Sequence, residues 1–580
     1  MLRLSRISAV SFGAALLLSA MLVDHGLVES RLRGPGLTTD ESLNIPQGVF
    51  LVEALAEQGP LVLTPAGAEK VFGSPKYLSD YPPLARMPIG VAHWLTSWCL
   101  PGSESSIYNV PAARLGSCFA FAVTVLLLTE FCKRRYGWAP AVCAAILMIT
   151  TPSLIGHARI ASSESATNLA WVTALLPVIA WWTNPGPPST ARACITGVFW
   201  GLLLLTKVQG ILLPPIVFLW AVWQYRWQSL RPLCCWLVCG MVVFLVCWPW
   251  LWLDPVHNLV SYFGSTTKRA TIYCWYFGER FADKEVPWHY PFVLTLFTLP
   301  LGTLLCLAAR GRWKQFDRCD QLLLLSIAIP LTVFALPGTP VYDGNRLFLI
   351  VMPSITLLAA RGFCWPGDVA VVESVSGKAL AAGDCTENTG KNSRPATGGS
   401  QPLTKTTASE VAIAKKGANS IVPRSVSRWQ AALLLLLALQ PFGSPIFQPF
   451  AICQYGPLAG GANGAARLGM EASYWGDGLN GTFWGQVPEN STVYVAPVSH
   501  QSQLRGLMSL VPIVQQRQIK LVAYEYDASK QRGLLLLIHR LADLRPELRT
   551  VPPGATVVAE ARLGNVVLAR LIDTTNVETP

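Results

Sequence analysis

Charged side chains are scarce in this sequence. Only 13% of its 580 residues are Asp, Glu, Lys or Arg, whereas 52% are hydrophobic, and the mean hydropathy is +0.40. A chain of this length and apolarity does not fold as one soluble core, because a soluble domain needs a polar surface. The composition therefore predicts a protein that crosses a membrane several times.

The sequence also lacks a nucleic-acid-binding pattern. Its formal net charge is +12, but no basic stripe or base-reading motif accompanies that charge. The Lys and Arg residues lie mainly at the ends of apolar runs, where they anchor membrane topology. We therefore expect no nucleic-acid partner.

Cysteines are present, but a cysteine site is not indicated. Most of the 15 cysteines lie inside apolar runs, for example Cys118, Cys143, Cys194, Cys234, Cys239, Cys247 and Cys306. In such runs a thiol behaves as a small hydrophobic group. No pair combines metal-ligand spacing with polar surroundings, which argues against a zinc or redox site.

Apolar runs recur along the chain at lengths close to those that cross a bilayer. The first, Ile7 to Val23, follows Arg3 and Arg6, and we interpret it as an uncleaved anchor with a cytoplasmic N-terminus. Further spans are predicted at 111–131, 138–155, 165–182, 192–206, 209–224, 232–252, 289–309, 320–336, 346–363 and 429–449. The pattern predicts an all-α polytopic bundle of about 11 transmembrane helices.

Basic clusters fix the expected orientation of this bundle. Alternation of the spans places Lys133 to Arg135, Arg226 with Arg231, and Arg310 to Arg318 on the cytoplasmic side. The apolar stretch from Leu84 to Cys99 is short and interrupted, so we expect a helix that lies on the outer membrane surface. If that stretch were a full span, every later cluster would lie outside.

Composition divides the chain into four regions. We expect a transmembrane domain at 1–363 with a first outer loop at 24–110, a flexible cytoplasmic insertion at 364–428, and a last helix at 429–449. Residues 450–580 contain β-rich runs and predict a small extracytoplasmic α/β domain. This region has no nucleotide-binding glycine motif.

The same topology gathers ionisable residues on the outer side. Besides the first loop, with Asp40, Glu41 and Arg86, the later outer segments carry Arg159, Glu164, Lys207, Lys268, Arg269, His289, Tyr342, Asp343 and Arg346. Ionisable groups at the ends of apolar helices are costly unless they are paired or solvated, so their gathering predicts a polar site.

Carboxylates and cations at the end of a helix bundle suit a substrate with a lipid tail and a phosphate. The tail can lie between helices while Arg or Lys neutralises the phosphate. A carboxylate can deprotonate an acceptor hydroxyl or hold a divalent metal ion. This chemistry is glycosyl transfer from a polyprenyl-phosphate sugar.

Several motifs carry a family resemblance over roughly the first 365 residues. They are Thr39-Asp40-Glu41, Tyr81-Pro82-Pro83-Leu84-Ala85-Arg86, His157-Ala158-Arg159-Ile160-Ala161, Leu205-Thr206-Lys207, Trp248-Pro249-Trp250-Leu251-Trp252, Pro287-Trp288-His289-Tyr290-Pro291 and Pro340 to Leu347. In this order they resemble the integral-membrane glycosyltransferases of the GT-C type. The nearest resemblance is to the protein O-mannosyltransferase-like group (glycosyltransferase family 39), which is related to the lipid A aminoarabinose transferases.

The resemblance implies roles for residues at matching positions. Asp40 is the expected catalytic carboxylate, as general base or through a divalent metal ion, and Glu41 and Glu164 are further catalytic candidates. Glu164 stands where relatives usually carry an acidic residue in the second outer loop. Expected donor-phosphate contacts are Arg86, Arg159, Lys207 and Arg346, and expected substrate contacts are His289, Tyr342 and Asp343.

Another role for the first of these carboxylates stays open. Thr39 or Asp40 can cap a helix that runs to Gln58, with Glu41 in its first turn. Capping and catalysis can hold together.

The resemblance thus predicts an enzyme of the plasma membrane, working on its extracytoplasmic face. It is a hexosyl- or pentosyltransferase that moves a sugar, with a mannose-like hexose favoured, to a protein, lipid or glycan hydroxyl with inversion. A secondary transporter and a non-catalytic scaffold remain alternatives, although the chain has no internal repeat and its polar groups lie at helix ends.

Overall fold

The computed structural model describes residues 4–23, 34–79, 81–100, 107–267, 270–311, 316–363, 437, 448–498, 501–526 and 532–577. Helices dominate the part that precedes residue 364. Apolar helices occupy Arg6–Ala20, Val110–Tyr136, Trp138–Thr150, Pro152–Ala158, Ser163–Trp182, Thr190–Leu204, Leu213–Tyr225, Leu230–Val246, Tyr290–Thr298, Leu301–Gly311, Arg318–Ala335 and Met352–Ala360. Each predicted span before residue 364 therefore coincides with helix, which confirms the helical assignment.

Among the described residues, four helices are long and apolar enough to cross a membrane. They are Val110–Tyr136, Val208–Val246, Arg318–Ala335 and Arg346–Phe363. Two bent pairs bring the number to six if each pair is one span: Trp138–Thr150 with Pro152–Ala158, bent by 67°, and Tyr290–Thr298 with Leu301–Arg310, bent by 107°. Prolines 152 and 300 stand at these breaks, where the missing N–H interrupts the helix. The helices make this an integral membrane protein, and the count of 11 spans is not confirmed.

Short 3₁₀ helices connect or extend these elements. They occupy Gly59–Leu63, Pro83–Ala85, Val208–Leu212, Arg226–Ser229, Arg346–Val351, Arg361–Phe363, Ala451–Cys453, Pro457–Ala459 and Pro546–Leu548. Smaller α-helices occupy Trp250–Leu253, Pro255–Thr267, Gly461–Arg467, Gly481–Trp484, Gln501–Leu510 and Pro512–Gln516.

The first outer loop is itself helical. It contains Glu41–Gln58, Pro65–Phe72 and Met87–Thr96. The predicted helix end at Gln58 is confirmed. Met87–Thr96 has ten residues, too few to cross a bilayer, and Trp94 within it and Trp98 just after it are exposed.

The C-terminal region contains a five-stranded mixed sheet, as the β-rich runs predict. Its strands are β3 (Thr492–Ala496), β4 (Lys520–Ala523), β5 (Leu534–Ile538), β6 (Thr556–Leu563) and β7 (Val566–Asp573). The order is β4-β3-β5-β7-β6, with β3 parallel to β4 and β5 and with β7 antiparallel to β5 and β6. Burial alternates along β6, whereas β5 is buried on both faces, where Leu536 belongs to one hydrophobic cluster and Leu535 to another.

A hairpin between the helices was not predicted. Strands β1 (Tyr273–Tyr276) and β2 (Glu279–Ala282) pair antiparallel across Phe277 and Gly278, both of which have positive φ. Such a two-residue turn matches the right-handed twist of the paired strands.

The C-terminal domain packs against the first outer loop within one compact unit, Met1–Cys364 with Gln440–Pro580. Ile45 and Val49 of the helix Glu41–Gln58 share a buried cluster with Leu507 and Ile538. At Gly36 the Leu479 carbonyl lies where a Cβ atom would stand, so the backbones approach closely only because residue 36 is glycine.

Two predicted regions cannot be compared with the structure. The insertion at 364–428 and nearly all of the helix at 429–449 lie outside the described residues.

Candidate active site

Asp40 begins the helix Glu41–Gln58 but does not cap it. Its side chain makes no capping hydrogen bond, and Oδ2 instead accepts a hydrogen bond from Arg346 Nη1 at 2.7 Å. The Asp40 side chain is 30% exposed, whereas that of Arg346 is 6% exposed. A cation buried behind a partly exposed carboxylate fixes the direction in which that carboxylate points.

Arg346 is held from several sides. Its Nε lies 3.5 Å from Asp343 Oδ2, and its guanidinium carbon lies 4.9 Å from the ring centre of Tyr342 and 4.6 Å from that of Trp475. Both distances suit cation–π contacts. Four of the predicted site residues, namely Asp40, Tyr342, Asp343 and Arg346, are therefore brought together.

Asp343 is fixed by the C-terminal domain. Its Oδ2 accepts a hydrogen bond from Trp475 Nε1 at 3.0 Å, and its Oδ1 accepts one from Arg540 Nη2 at 3.1 Å. Burial disfavours the charged form of Arg540, but the carboxylates of Asp343 and Asp543 outweigh this effect and raise the Arg540 pKa above its usual value.

A second charged cluster joins residues of three segments. Lys207 Nζ donates to Glu164 Oε1 at 2.7 Å, and both side chains are buried. Lys207 lies 5.5 Å and the Arg86 guanidinium 4.8 Å from the centre of the Tyr81 ring. Arg86 Nε also donates to Asn44 Oδ1 at 3.0 Å. This cluster brings together three further predicted residues, Arg86, Glu164 and Lys207.

His157 lies near both clusters with one ring nitrogen free to bind. Nδ1 is 2.7 Å from the Ser153 carbonyl and donates to it, so Nε2 carries a lone pair. Nε2 is buried and has no hydrogen-bond partner among the described residues. The ring packs edge to face on Trp475 at 5.5 Å, so Nε2 is a buried acceptor beside Trp475.

The structure does not support the catalytic role predicted for Glu41. Its carboxylate is fully buried and accepts hydrogen bonds from Arg114 Nε at 2.7 Å, Arg114 Nη2 at 2.8 Å and the Ala161 amide at 2.7 Å. Thr38 adds two more, from its amide and its hydroxyl. These hydrogen bonds fix the position of the carboxylate. The ion pair with Arg114 holds the residue 36–41 segment against the helix Val110–Tyr136.

Two further predicted residues lie apart from these clusters. Arg159 donates to the carbonyls of Gln448 and Leu18, at 3.0 and 3.4 Å. His289 Nδ1 lies 2.7 Å from the Tyr276 hydroxyl, which connects it to the β1–β2 hairpin. Neither residue contacts Asp40.

The described residues do not fit a metal centre. Within these ranges no group of three or more His, Cys, Asp or Glu side chains is placed to hold a metal ion. The Asp40 carboxylate faces the guanidinium of Arg346.

Sequence reasoning did not find Arg114, His157, Trp475 or Arg540. Arg114 had a local signal, since a charge inside an apolar span calls for a buried partner. His157 lies in a motif that carried the resemblance. Trp475 and Arg540 had no local signal in the sequence, because their hydrogen bonds to Asp343 form only in the folded protein.

These features define an integral membrane protein with a polar, partly open site in which carboxylates and cations from distant loops meet. Residues 107–253, about a quarter of the chain, match the family model described as dolichyl-phosphate-mannose-protein mannosyltransferase. This match confirms the predicted resemblance to the protein O-mannosyltransferase-like glycosyltransferases. No curated protein sequence matches the chain significantly.

Solved structures of GT-C glycosyltransferases are similar along nearly the whole chain. ArnT from Cupriavidus metallidurans bound to undecaprenyl phosphate has 14% identity and a TM-score of 0.49, with 99% of each chain covered. The same ArnT in the apo state has 15% identity and a TM-score of 0.48, covering 99% of this chain and 98% of that chain.

An archaeal oligosaccharyltransferase is a more distant similarity. AglB from Archaeoglobus fulgidus, in complex with an inhibitory peptide and a dolichol-phosphate, has 12% identity and a TM-score of 0.41, covering 92% of this chain and 69% of that chain. Because each TM-score is below 0.5, we argue the function from this chain's own residues.

Proposed function

We propose that this protein is a membrane glycosyltransferase that moves a sugar from a polyprenyl-phosphate donor to a hydroxyl acceptor. The observation that carries the proposal is the Asp40 carboxylate, which is partly exposed, does not cap its helix and is aimed by Arg346. A partly exposed carboxylate that does not cap its helix, and that lies beside buried cations, can take a proton from a hydroxyl next to a phosphate.

The proposed reaction is a direct displacement. Asp40 takes the proton of the acceptor hydroxyl while that oxygen attacks the anomeric carbon of the sugar. The bond from the anomeric carbon to the phosphate oxygen breaks, and its electron pair leaves with the polyprenyl phosphate. One displacement on one face inverts the anomeric configuration.

The cations are proposed to bind the phosphate as it leaves. Lys207 and Arg86 meet at Tyr81, and the amide of Leu84 donates to the Leu205 carbonyl at 3.0 Å, which fixes the two segments together. Preorganised cations stabilise the charge that the phosphate gains in the transition state. Arg346 is proposed to add a further positive charge near the phosphate, because its guanidinium lies 2.7 Å from the carboxylate of the proposed base, Asp40.

The remaining expectations belong to the same proposal. We place the site on the extracytoplasmic face of the plasma membrane, in a bundle of about 11 helices, with a cytoplasmic N-terminus. A mannose-like hexose is the favoured sugar, and a protein, lipid or glycan hydroxyl is the acceptor. ArnT and AglB structures hold undecaprenyl phosphate and dolichol-phosphate, respectively, in agreement with a lipid-linked donor.

Asp40→Asn tests the proposal directly. The amide keeps the size of the side chain but cannot take a proton, so transfer from a polyprenyl-phosphate sugar should fall at least about 100-fold. The assay uses purified protein in detergent with radiolabelled polyprenyl-phosphate mannose, glucose or aminoarabinose in parallel. Repeating it with EDTA tests the need for a metal.

Glu53→Gln is the matched control, because Glu53 lies on the same helix with its side chain exposed. It should retain wild-type transfer. Unchanged transfer by Asp40→Asn would remove Asp40 from the mechanism, and absence of transfer by the wild type from every donor would overturn the function.

A further inference from the structure

The loop that carries Arg346 has an unusual backbone. Asp343 has φ +56° and Gly344 has φ +66°, so two consecutive residues are left-handed. Glycine adopts this conformation freely, but Asp does so at a cost of about 1 kcal/mol or more. Such a backbone persists only where surrounding contacts hold it.

The contacts that hold this loop come from the C-terminal domain. Asp343 accepts hydrogen bonds from Trp475 and Arg540, as described above. Arg540 Nη1 also donates to the Tyr474 carbonyl at 2.9 Å, and its Nε pairs with Asp543 at 2.8 Å. The ring of Tyr474 lies 3.3 Å from the position that a Cβ of residue 344 would take, so it covers the left-handed turn.

These contacts continue to the proposed base through alternating charges. Arg540 binds Asp343, Asp343 lies beside Arg346, and Arg346 binds Asp40. The Arg540 guanidinium is buried and pairs with both Asp343 and Asp543, whereas Asp40 is partly exposed. A chain of ion pairs thus connects Asp40 with Arg540, although the two side chains are not paired with each other.

We propose that Arg540 and Trp475 are positioning residues, which hold the Asp343–Gly344 turn in its left-handed form and thereby aim Arg346 at Asp40. This inference rests on the proposed function only for its activity readout. Its structural part, that the C-terminal domain shapes the residue 342–346 loop, is independent of the reaction.

The positioning role differs from simple docking of the domain. Docking has its own contacts, since the Gly36 amide donates to the Asp477 carbonyl at 2.7 Å and the Thr39 amide donates to the Trp475 carbonyl at 3.2 Å. The apolar cluster around Ile45 and Leu507 adds to these. If the Arg540 guanidinium is removed, the C-terminal domain should keep its other contacts, and only the Asp343–Gly344 turn should become more mobile.

Arg540→Gln, Arg540→Lys and Trp475→Phe test the proposal. Trp475→Phe removes the N–H donor but keeps an aromatic ring beside Arg346. We expect kcat to fall about 10- to 100-fold in Arg540→Gln, since small misplacements of reacting groups have effects of this size. Arg540→Lys, which keeps the charge, should recover part of the loss, and Trp475→Phe should show a smaller decrease.

Two further measurements separate positioning from structure. Hydrogen–deuterium exchange of residues 339–347 should increase in Arg540→Gln, while exchange of strands β3 and β5 stays at the wild-type level. In an Arg346→Lys background, Arg540→Gln should decrease kcat less than it does in the wild type, because it acts through Arg346. Arg562→Gln, on the exposed Arg562–Glu560 pair of the same domain, is the control and should change neither readout.

Several outcomes overturn the proposal. One is a wild-type kcat with unchanged exchange at 339–347 in Arg540→Gln. Another is increased exchange throughout the C-terminal sheet, which would show a purely structural role, and a third is full additivity with Arg346→Lys. If the wild type transfers no sugar, the proposed function fails, but the exchange experiment still decides whether Arg540 shapes the loop.

Discussion

The helical segment Arg346–Phe363 carries a buried arginine near each end, and the two ends differ. At its start Arg346 binds Asp40, whose carboxylate is partly exposed. Near its other end Arg361 binds Asp317 and Asp320 and contacts the Tyr136 hydroxyl, while Arg310 binds Asp320 as well. Asp320 is fully buried.

Asp317 and Asp40 show what the difference means. Both occupy the position before the first turn of a helix. Asp317 caps its helix, because its Oδ1 accepts from the Asp320 amide at 2.8 Å and a reciprocal capping box forms. Asp40 makes no such bond. A buried arginine–carboxylate pair therefore does not by itself indicate catalysis. A carboxylate that is partly exposed and does not cap its helix is a better indication of a functional site.

The largest expected contrast comes from removing each arginine. Arg361→Gln takes one partner from a buried charge network and should destabilise the protein by about 3 kcal/mol or more. It should therefore lower the yield of folded protein. Arg346→Gln should remain folded, because Asp343 keeps Arg540 and Asp40 can be solvated, but transfer should fall about 100-fold. Size-exclusion profiles, thermal midpoints and transfer assays measure both effects.

The reverse result would break the comparison. A folded, active Arg346→Gln together with an inactive, equally stable Arg361→Gln would move the functional centre to the other end of the helix.

Lys207 tests whether the second cluster serves the donor phosphate. Lys207→Gln should raise the KM for the polyprenyl-phosphate donor about 10-fold, because a neutral amide cannot neutralise a phosphate. The Lys207→Gln/Glu164→Gln double variant relieves the unpaired buried carboxylate, so it should regain stability but not donor affinity. Recovery of the donor KM in the double variant would make the Lys207–Glu164 pair merely structural.

Glu471 extends the comparison to a carboxyl that burial keeps protonated. Burial raises its pKa from 4.5 to about 8. Between these values the unfolded chain has released the proton that the folded protein holds, so stability should decrease as pH rises, by up to about 1.4 kcal/mol per pH unit. Thermal midpoints of Glu471→Gln should fall less than those of the wild type between pH 5 and pH 8. Parallel pH curves would contradict this assignment.

The smallest expected effect concerns the two helix starts. Asp317→Ala removes a cap and should cost about 1 kcal/mol. Asp40→Asn, which keeps an oxygen that can accept from Arg346 Nη1, should change the free energy of unfolding by less than about 0.5 kcal/mol, because no capping bond is lost. Equal destabilisation by the two substitutions would show that Asp40 supports its helix after all.

Much of the fold follows from local sequence. Apolar runs located the helices, and the β-rich runs located the strands of the C-terminal sheet, since both patterns depend on neighbours in the chain. Where bends divide a run, as at Pro152 and Pro300, the number of membrane crossings no longer follows from apolarity alone.

The site could be predicted only in part. The residues at helix ends, such as Asp40, Lys207 and Arg346, stand out because charge is costly there. The partners of these residues could not be predicted. Asp40 and Glu41 are adjacent carboxylates in the sequence, and only the tertiary structure shows that Glu41 pairs with Arg114. An Asp-Gly dipeptide such as Asp343-Gly344 favours a turn, but nothing local indicates that Arg540 holds it.

The long separation of these partners has a consequence for biosynthesis. Asp40 and Arg346 are 306 residues apart, and Asp343 and Arg540 are 197 apart. During synthesis from the N-terminus, Asp40 emerges first, Arg346 much later and Arg540 later still. The helices that precede Arg346 are therefore made before the contacts among Asp40, Arg346, Asp343 and Arg540 can form, so these contacts depend on late folding of the C-terminal domain.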